Sequence, residues 1–159
     1  MSNNPPYFYD AEVEWTGGRT GDLRSPDLPG LEVAAPPEFK GPEGVWTPEH
    51  FFVAAVNSCF MTTFVAIAEL SNLKFSGFRC DATGKLEKEE SRGFRITEIV
   101  LKPRVVVCDS HDIERAGRIL VKAERNCLIS NSINTTVTVR PEVVSEASAD
   151  KVAEMALAS

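Results

Sequence analysis

Two cysteines stand in complementary surroundings: Cys59 within the uncharged run from Phe51 to Ala68, and Cys127 in Asn126-Cys127-Leu128-Ile129-Ser130, just past a stretch of amphipathic helical spacing. A thiol inside a long apolar helix is shielded and tuned by a few neighbours, and one on a post-helical turn can move to meet it. That combination suits a peroxide-reducing cysteine and its resolving partner. Residue type alone also supports a plainer reading, because free cysteine is among the most buried residue types and packs as a small hydrophobe. Cys80 and Cys108, both in predicted strands, take that plainer role. His50 and His111 fall at helix starts, where a charged imidazole gains nothing from the dipole. Neither has the local signature or orienting acid that a Cys-His acyl-transfer enzyme would need.

Composition narrows the classes. The chain has 159 residues, 43% hydrophobic and 25% charged, which is the size and make-up of one globular domain, 1–159 with a core over about 7–144. A formal net charge of −6 argues against a nucleic-acid surface, which needs a basic patch. The start, Met1 to Pro6, has neither the positive n-region nor the apolar h-region of a secretory signal, so the expected location is cytoplasmic. Four cysteines with no Cys-x-x-Cys spacing fit neither a disulfide scaffold nor a structural zinc site. The 18 uncharged residues from Phe51 to Ala68 reach the lower edge of a membrane-spanning length. Asn57, Ser58, Thr62 and Thr63 at the centre and the frequent alanines favour instead a helix buried on all sides within a protein or dimer core.

The elements that must position the thiols follow from periodicity. Tyr7, Tyr9, Ala11, Val13 and Trp15 alternate with polar residues, predicting a half-buried strand over 7–15. Gly17-Gly18 turns it into a second strand around Arg19 to Ser25, and Leu31 to Ala35 makes a third before the proline-rich connection Pro36 to Gly44. Thr47-Pro48-Glu49 is a helix start, because threonine caps, proline fits the first helical position and an acid suits the positive end of the dipole. That helix runs to about residue 72. Two β-rich runs, around Phe78 to Thr83 and Phe94 to Cys108, flank a polar hairpin, with Pro103 pointing to an edge or a bulge. A second helix begins near Ser110 and carries Ile113, Ala116, Ile119, Leu120 and Ala123 on one face, stopping at Asn126 in a left-handed conformation. Thr135 to Val144 reads as a final strand and Ala149 to Ala158 as a short helix. The class is α+β: an N-terminal β-meander, a long buried central helix, a β-hairpin, an amphipathic helix and a last strand. A helix apolar all round needs more cover than one small sheet gives, so a homodimer is expected, with two such helices packed together.

The segments Trp15-Thr16-Gly17-Gly18-Arg19-Thr20-Gly21, Thr47-Pro48-Glu49-His50-Phe51-Phe52, Asn57-Ser58-Cys59-Phe60 and Cys127-Leu128-Ile129-Ser130, in this order, resemble the OsmC/Ohr family of thiol peroxidases. The resemblance covers about residues 7 to 144. It implies an OsmC-like fold and an intertwined homodimer with two active sites at the subunit interface. It also implies Cys59 as the peroxidatic thiol, Cys127 as the resolving thiol, and Arg19 and Glu49 as the polar pair that tunes the first. Members reduce hydroperoxides without metal, flavin or haem, and one branch is recycled by dihydrolipoyl groups. Two departures stand out: the family commonly has proline where this chain has Leu128, and the lead-in Asn57-Ser58 is less alanine-rich.

Physical chemistry gives those roles content. A free thiol is only a few per cent ionised at neutral pH, and apolar burial reduces that fraction, so a buried nucleophile needs a cation nearby. The Arg19 guanidinium stays charged and can stabilise first the thiolate and then the departing alkoxide, with Glu49 holding it by paired hydrogen bonds. Without the resemblance, both charges read as ordinary solvated residues. Ten residues of one helix separate Glu49 from Cys59, about 15 Å along the axis. Either the helix breaks or Glu49 reaches the Cys59 of the other subunit, and dimer symmetry favours the second. After attack on peroxide, Cys59 would become a sulfenic acid that Cys127, 68 residues on, closes to a disulfide for an external dithiol to open. Phe51, Phe52, Phe60, Met61 and Phe64 are the apolar residues available to line a pocket for an organic hydroperoxide, although for each one taken singly a core role is favoured. The competing expectation is a non-enzymatic small-ligand binder of the same fold.

Overall fold

The computed structural model describes residues 5–149, in two compact units, Met1–Phe51 and Phe52–Ser159. The first unit is an antiparallel sheet of β1 (Glu12–Gly17), β2 (Thr20–Arg24) and β3 (Leu31–Ala34), in that order. Gly17 and Gly18 make the β1–β2 turn at φ 134° and 54°, backbone conformations that glycine adopts without strain. The predicted strand is present but shorter, and its burial does not alternate. The strand begins at Glu12 rather than residue 7, and Val13 and Trp15 are 65% and 75% exposed instead of half-buried. Three short strands supply no second layer of their own to cover that face.

Helix α1 (Pro48–Leu70) starts at the end of the first unit and continues through the second without interruption. Thr47 caps it as expected, its hydroxyl accepting from the His50 backbone N–H at 3.3 Å while also bonding His50 Nδ1 at 2.8 Å. Its other end closes on Asn72, at φ 53°, with the Leu73 N–H reaching back to the Ala68 carbonyl at 2.9 Å. Val56, Phe60, Phe64, Ile67 and Ala68 recur at helical spacing and are buried along one face. Phe64 packs on Phe75 and Phe78 at ring separations of 5.3 and 5.1 Å. By length and composition α1 could cross a membrane, yet this face belongs to a protein core. The opposite face, with Ala55, Ser58, Met61, Thr62 and Ala66, is exposed, so burial on all sides is not achieved within one chain.

The second sheet is built on β5 (Gly93–Val107). On one side it pairs antiparallel with β4 (Phe75–Glu89); on the other it takes β6 (Thr136–Val139) and β7 (Glu142–Ser145), both parallel and placed end to end. Ile99, Leu101, Pro103, Val105 and Val107 alternate onto the buried face of β5. The single final strand expected over 135–144 is therefore two. Pro141 interrupts it, lacking an N–H for the ladder and fixing φ, while the preceding Arg140 N–H still reaches the Leu101 carbonyl at 2.8 Å. Pro103 lies at neither an edge nor a bulge: it sits in the central strand, opposite Cys80 on β4, where the other neighbour changes from β6 to β7. No parallel ladder partner faces it there, so the missing N–H is tolerated.

Helix α2 (Ile113–Asn126) follows a 3-10 turn at Ser110–Asp112 and so starts three residues later than the sequence indicates. Its Ala116, Ile119, Leu120 and Ala123 complete the core with α1 and β5. Asn126 is not left-handed. Its side-chain amide donates to the Lys122 carbonyl at 2.7 Å, capping the helix, and the chain leaves through an extended Cys127 at φ −67°, ψ 110°. Residues 146–149 are helical; the helix expected over 149–158 otherwise lies outside the described residues.

Candidate functional site

The core stripes of the two helices bring the two thiols together. Cys127 falls four residues beyond Ala123 and seven beyond Leu120, so the buried stripe of α2 carries on into its C-cap, where Cys127 is fully buried. Cys59 lies three residues after Val56 on the flank of the α1 stripe and is half-buried. Both are free thiols. The Cys127 S–H is within hydrogen-bonding reach of the Cys59 sulfur and also of the Val56 carbonyl, at 4.0 Å. One proton thus has two acceptors, and an ionised Cys59 is the stronger.

The turn beyond α2 closes over Cys59. Because Cys127 is extended and Ile129 helical, the N–H groups after Cys127 point back at α1, and the Ile129 N–H donates to Cys59 Sγ at 3.5 Å. The electrostatics of the two sulfurs then diverge. Burial pushes the Cys59 thiol up, but the Ile129 N–H, the Cys127 S–H, the Thr63 hydroxyl and the Leu128 N–H together outweigh it and hold Cys59 below the ordinary thiol range. Burial also pushes Cys127 up. There the hydroxyl and N–H of Ser130 offset burial only in part, the adjacent Cys59 adds to the rise, and the net displacement is upward. This geometry favours a proton on Cys127 and a thiolate at Cys59.

The remaining sequence-predicted site residues are placed less uniformly. Arg19 is exposed in the β1–β2 turn, and among the described residues no ion pair joins it to Glu49. One carboxylate oxygen of Glu49 is buried with no hydrogen-bond partner. Since α1 is unbroken, a helix break between Glu49 and Cys59 is ruled out. Of the apolar residues proposed to line a pocket, Phe60 and Phe64 are fully buried core, Phe52 packs against that core, and Phe51 stacks on Trp46 at 5.6 Å. Met61 is 40% exposed. Cys80 is half-buried in β4, its thiol raised to about 11 by burial, while Cys108 lies one residue past β5 and is exposed rather than packed. Asp109 does orient His111, at 2.8 Å, but on the open surface. Among the described residues no group of three or more His, Cys, Asp or Glu side chains could hold a metal ion. The backbone donors at 128 and 129 were invisible to residue-type reasoning. Thr63, one helical turn from Cys59, had a signal in its spacing.

Comparison with known proteins agrees with the core layout. A Bacillus subtilis (strain 168) protein, YmaD, uncharacterized, is 26% identical over 141 residues, covering 86% of this chain and 92% of its own. Among solved structures, an OsmC-like protein of unknown function from Vibrio cholerae superposes with a TM-score of 0.79 at 24% identity, covering 86% of this chain and 99% of the other. An organic hydroperoxide resistance protein from Legionella pneumophila superposes with a TM-score of 0.72 at 25% identity, over 89% of this chain and 99% of the other. One from Elizabethkingia anophelis gives 0.71 at 24%, over the same shares. The OsmC-like protein family model matches residues 41–142, which take in both helices, the long hairpin and both thiols; this chain belongs to that family.

Proposed function

We propose that the protein is a cysteine-based hydroperoxide reductase in which Cys59 attacks the peroxide and Cys127 resolves the product. The observation that carries this reading is the adjacency of two thiols with opposite proton preferences, remote in sequence and joined by the turn after α2. The Cys59 thiolate attacks one peroxide oxygen, the O–O bond breaks, and the alkoxide leaves and takes up a proton to become the alcohol, while the sulfur is oxidised to a sulfenic acid. Cys127, once deprotonated, attacks that sulfur; the S–S bond forms and hydroxide leaves, taking a proton to become water. A dithiol reductant, dihydrolipoyl groups being the expected kind, then reduces the disulfide and is itself oxidised to a cyclic disulfide. The hydroperoxide-resistance names of the Legionella and Elizabethkingia proteins support the substrate class.

The same reading takes the protein as a cytoplasmic homodimer. The open face of α1 is made of small and apolar residues, and the hydroxyls of Ser58 and Thr62 donate to Ala55 and Cys59 carbonyls of their own helix, so the face carries little free polarity. A second copy of α1 packed there would supply the missing cover. Arg19 and Glu49 would then act on the Cys59 of the partner, which gives the orphaned Glu49 oxygen a role in holding the guanidinium.

Consumption of an organic hydroperoxide, with dithiol and monothiol reductants side by side, tests the proposal. Wild type should turn over with the dithiol, Cys59→Ser should be inactive, and Cys127→Ser should react once and accumulate sulfenic acid or mixed disulfide. Equal turnover in wild type and Cys59→Ser would refute it and favour a non-enzymatic ligand binder.

A further inference from the structure

Polar contacts grip one turn of α1 from two sides. On one flank the Cys127 S–H reaches the Val56 carbonyl at 4.0 Å, and the Ile129 N–H reaches Cys59 Sγ at 3.5 Å. On the other flank the Asn57 side-chain amide donates to the Cys80 carbonyl of β4 at 2.9 Å. That carbonyl can accept because of where it points. The Arg140 N–H takes the Leu101 carbonyl, so Leu101 and Pro103 direct their backbone groups away from β4. Cys80, opposite Pro103, therefore directs its own away from β5, toward the open edge of the sheet. Elsewhere α1 meets β4 through apolar groups: Val53 fills the space that a Cβ on Gly84 would need, and Phe60 and Phe64 lie against Phe78. Apolar contacts are non-directional and let a helix roll. Among the described residues, the Asn57 bond is the one hydrogen bond between α1 and the sheet.

The same side chain carries a cost. Its Oδ1 is buried with no hydrogen-bond partner among the described residues. A buried acceptor left unpaired loses about as much free energy as one neutral hydrogen bond returns, so a leucine of similar size would hold this contact without loss. From this geometry we infer that Asn57 is a positioning residue: pinned to the Cys80 carbonyl, it fixes the roll of α1 and so aims Cys59 at the turn after α2. The inference rests on Cys59 being the attacking thiol. Two residues apart on the helix, Asn57 and Cys59 project about 200° from each other around its axis, so a roll that frees one flank unseats the other. With the amide bound, Sγ stays within reach of the Ile129 N–H and beside the Cys127 turn. With it released, only sliding apolar contacts set the angle on the sheet side. A local rule broken at no gain in stability is expected where function needs a fixed geometry. The polar lead-in Asn57-Ser58 thereby acquires a use, since an alanine at 57 could make no such bond.

Alkylation of Cys59 as a function of pH, resolved by peptide mass spectrometry on the full chain and read beside the denaturant midpoint, tests this role without any peroxide chemistry. Asn57→Leu removes the donor and the orphaned oxygen at similar size, and Asn57→Ala removes both and shrinks the side chain. Val53→Ala loosens the same helix–strand contact and leaves the bond in place. Asn57→Leu should be at least as stable as wild type, yet its Cys59 should show a raised midpoint and alkylate about three- to tenfold more slowly near neutral pH, the change expected of one lost hydrogen bond to an anion. Asn57→Ala should slow by a similar factor at lower stability. Val53→Ala should lose stability and keep the wild-type Cys59 profile. A profile unmoved in both Asn57 variants would overturn the inference, and so would an equal slowing in Val53→Ala, which would make Asn57 one packing residue among several. A wild type that consumes no hydroperoxide, with a Cys59 profile that still depends on Asn57, would instead count against the peroxidase reading and leave the positioning role standing.

Discussion

At the scale of single residues, the two sulfurs differ in which side of the ordinary thiol value they fall. Cys59 is held down by four donors against the pull of burial, and Cys127 is pushed up by burial with Ser130 giving partial relief. Only the anion reacts with an alkylating agent, so the rate climbs as pH rises through each group's own value. Reactivity of Cys59 should therefore appear at lower pH than that of a free thiol and reactivity of Cys127 at higher pH, as differential labelling across pH 5 to 10 would show. The linkage has the same sign: stability contributed by the Cys59 anion is present above the unfolded-thiol range and is lost as pH falls through the folded-state value. The sequence made both cysteines conspicuous through their settings. It could not show that a main-chain group would be among the donors, because every residue but proline has an N–H and only the turn geometry at Cys127 and Ile129 aims the Ile129 N–H at the Cys59 sulfur. At Phe60 and Phe64, apolar residues beside the thiol on a uniformly apolar helix give no phase to separate lining from core, and both take the core role the sequence favoured.

Among elements, α1 has the most to explain, because it carries Cys59 and the largest buried side chains. Its start was legible in Thr47-Pro48-Glu49, and the hydroxyl cap is formed. Thr47→Ala should lower the stability of the fold by about 1 kcal/mol, read from a denaturant midpoint at unchanged slope. Phe64→Ala, which would open a cavity between α1 and the Phe75 and Phe78 rings, should cost about 3 to 5 kcal/mol in the same measurement. The α2 stripe was equally legible, since four of its five expected inward residues are buried and the fifth, Ile113, lies in the first turn at the surface. Stops and breaks were less readable. Asn126 can end a helix through a left-handed backbone or through its side chain, and the sequence does not distinguish them. Thr135 to Val144 alternates well enough to pass for one strand. Only the pairing with β5 shows that Pro141 divides it, and that Pro103 lies where the parallel neighbour changes.

On the scale of the whole molecule, the exposed face of α1 and the exposed Val13 and Trp15 of β1 leave more apolar surface uncovered than scattered solvent contacts would. If a second copy covers α1, Met61→Glu should shift the protein toward monomer in analytical ultracentrifugation and reduce peroxide turnover with it, while leaving the secondary structure intact. A variant that stays dimeric with full turnover would place the contact elsewhere. The wide sequence separation of the two thiols carries a last consequence. A bond between Cys59 and Cys127 would enclose residues 60–126, among them β4, β5 and α2, which is most of the second unit. Closing a loop of that size removes unfolded-state freedom worth about 4 kcal/mol in the chain-entropy view. Exposure to oxidant would then set how much heat the fold survives: the bridged form would be the hardier one, reduction would return it to a softer one, and Cys127→Ser would melt at one temperature whatever its history.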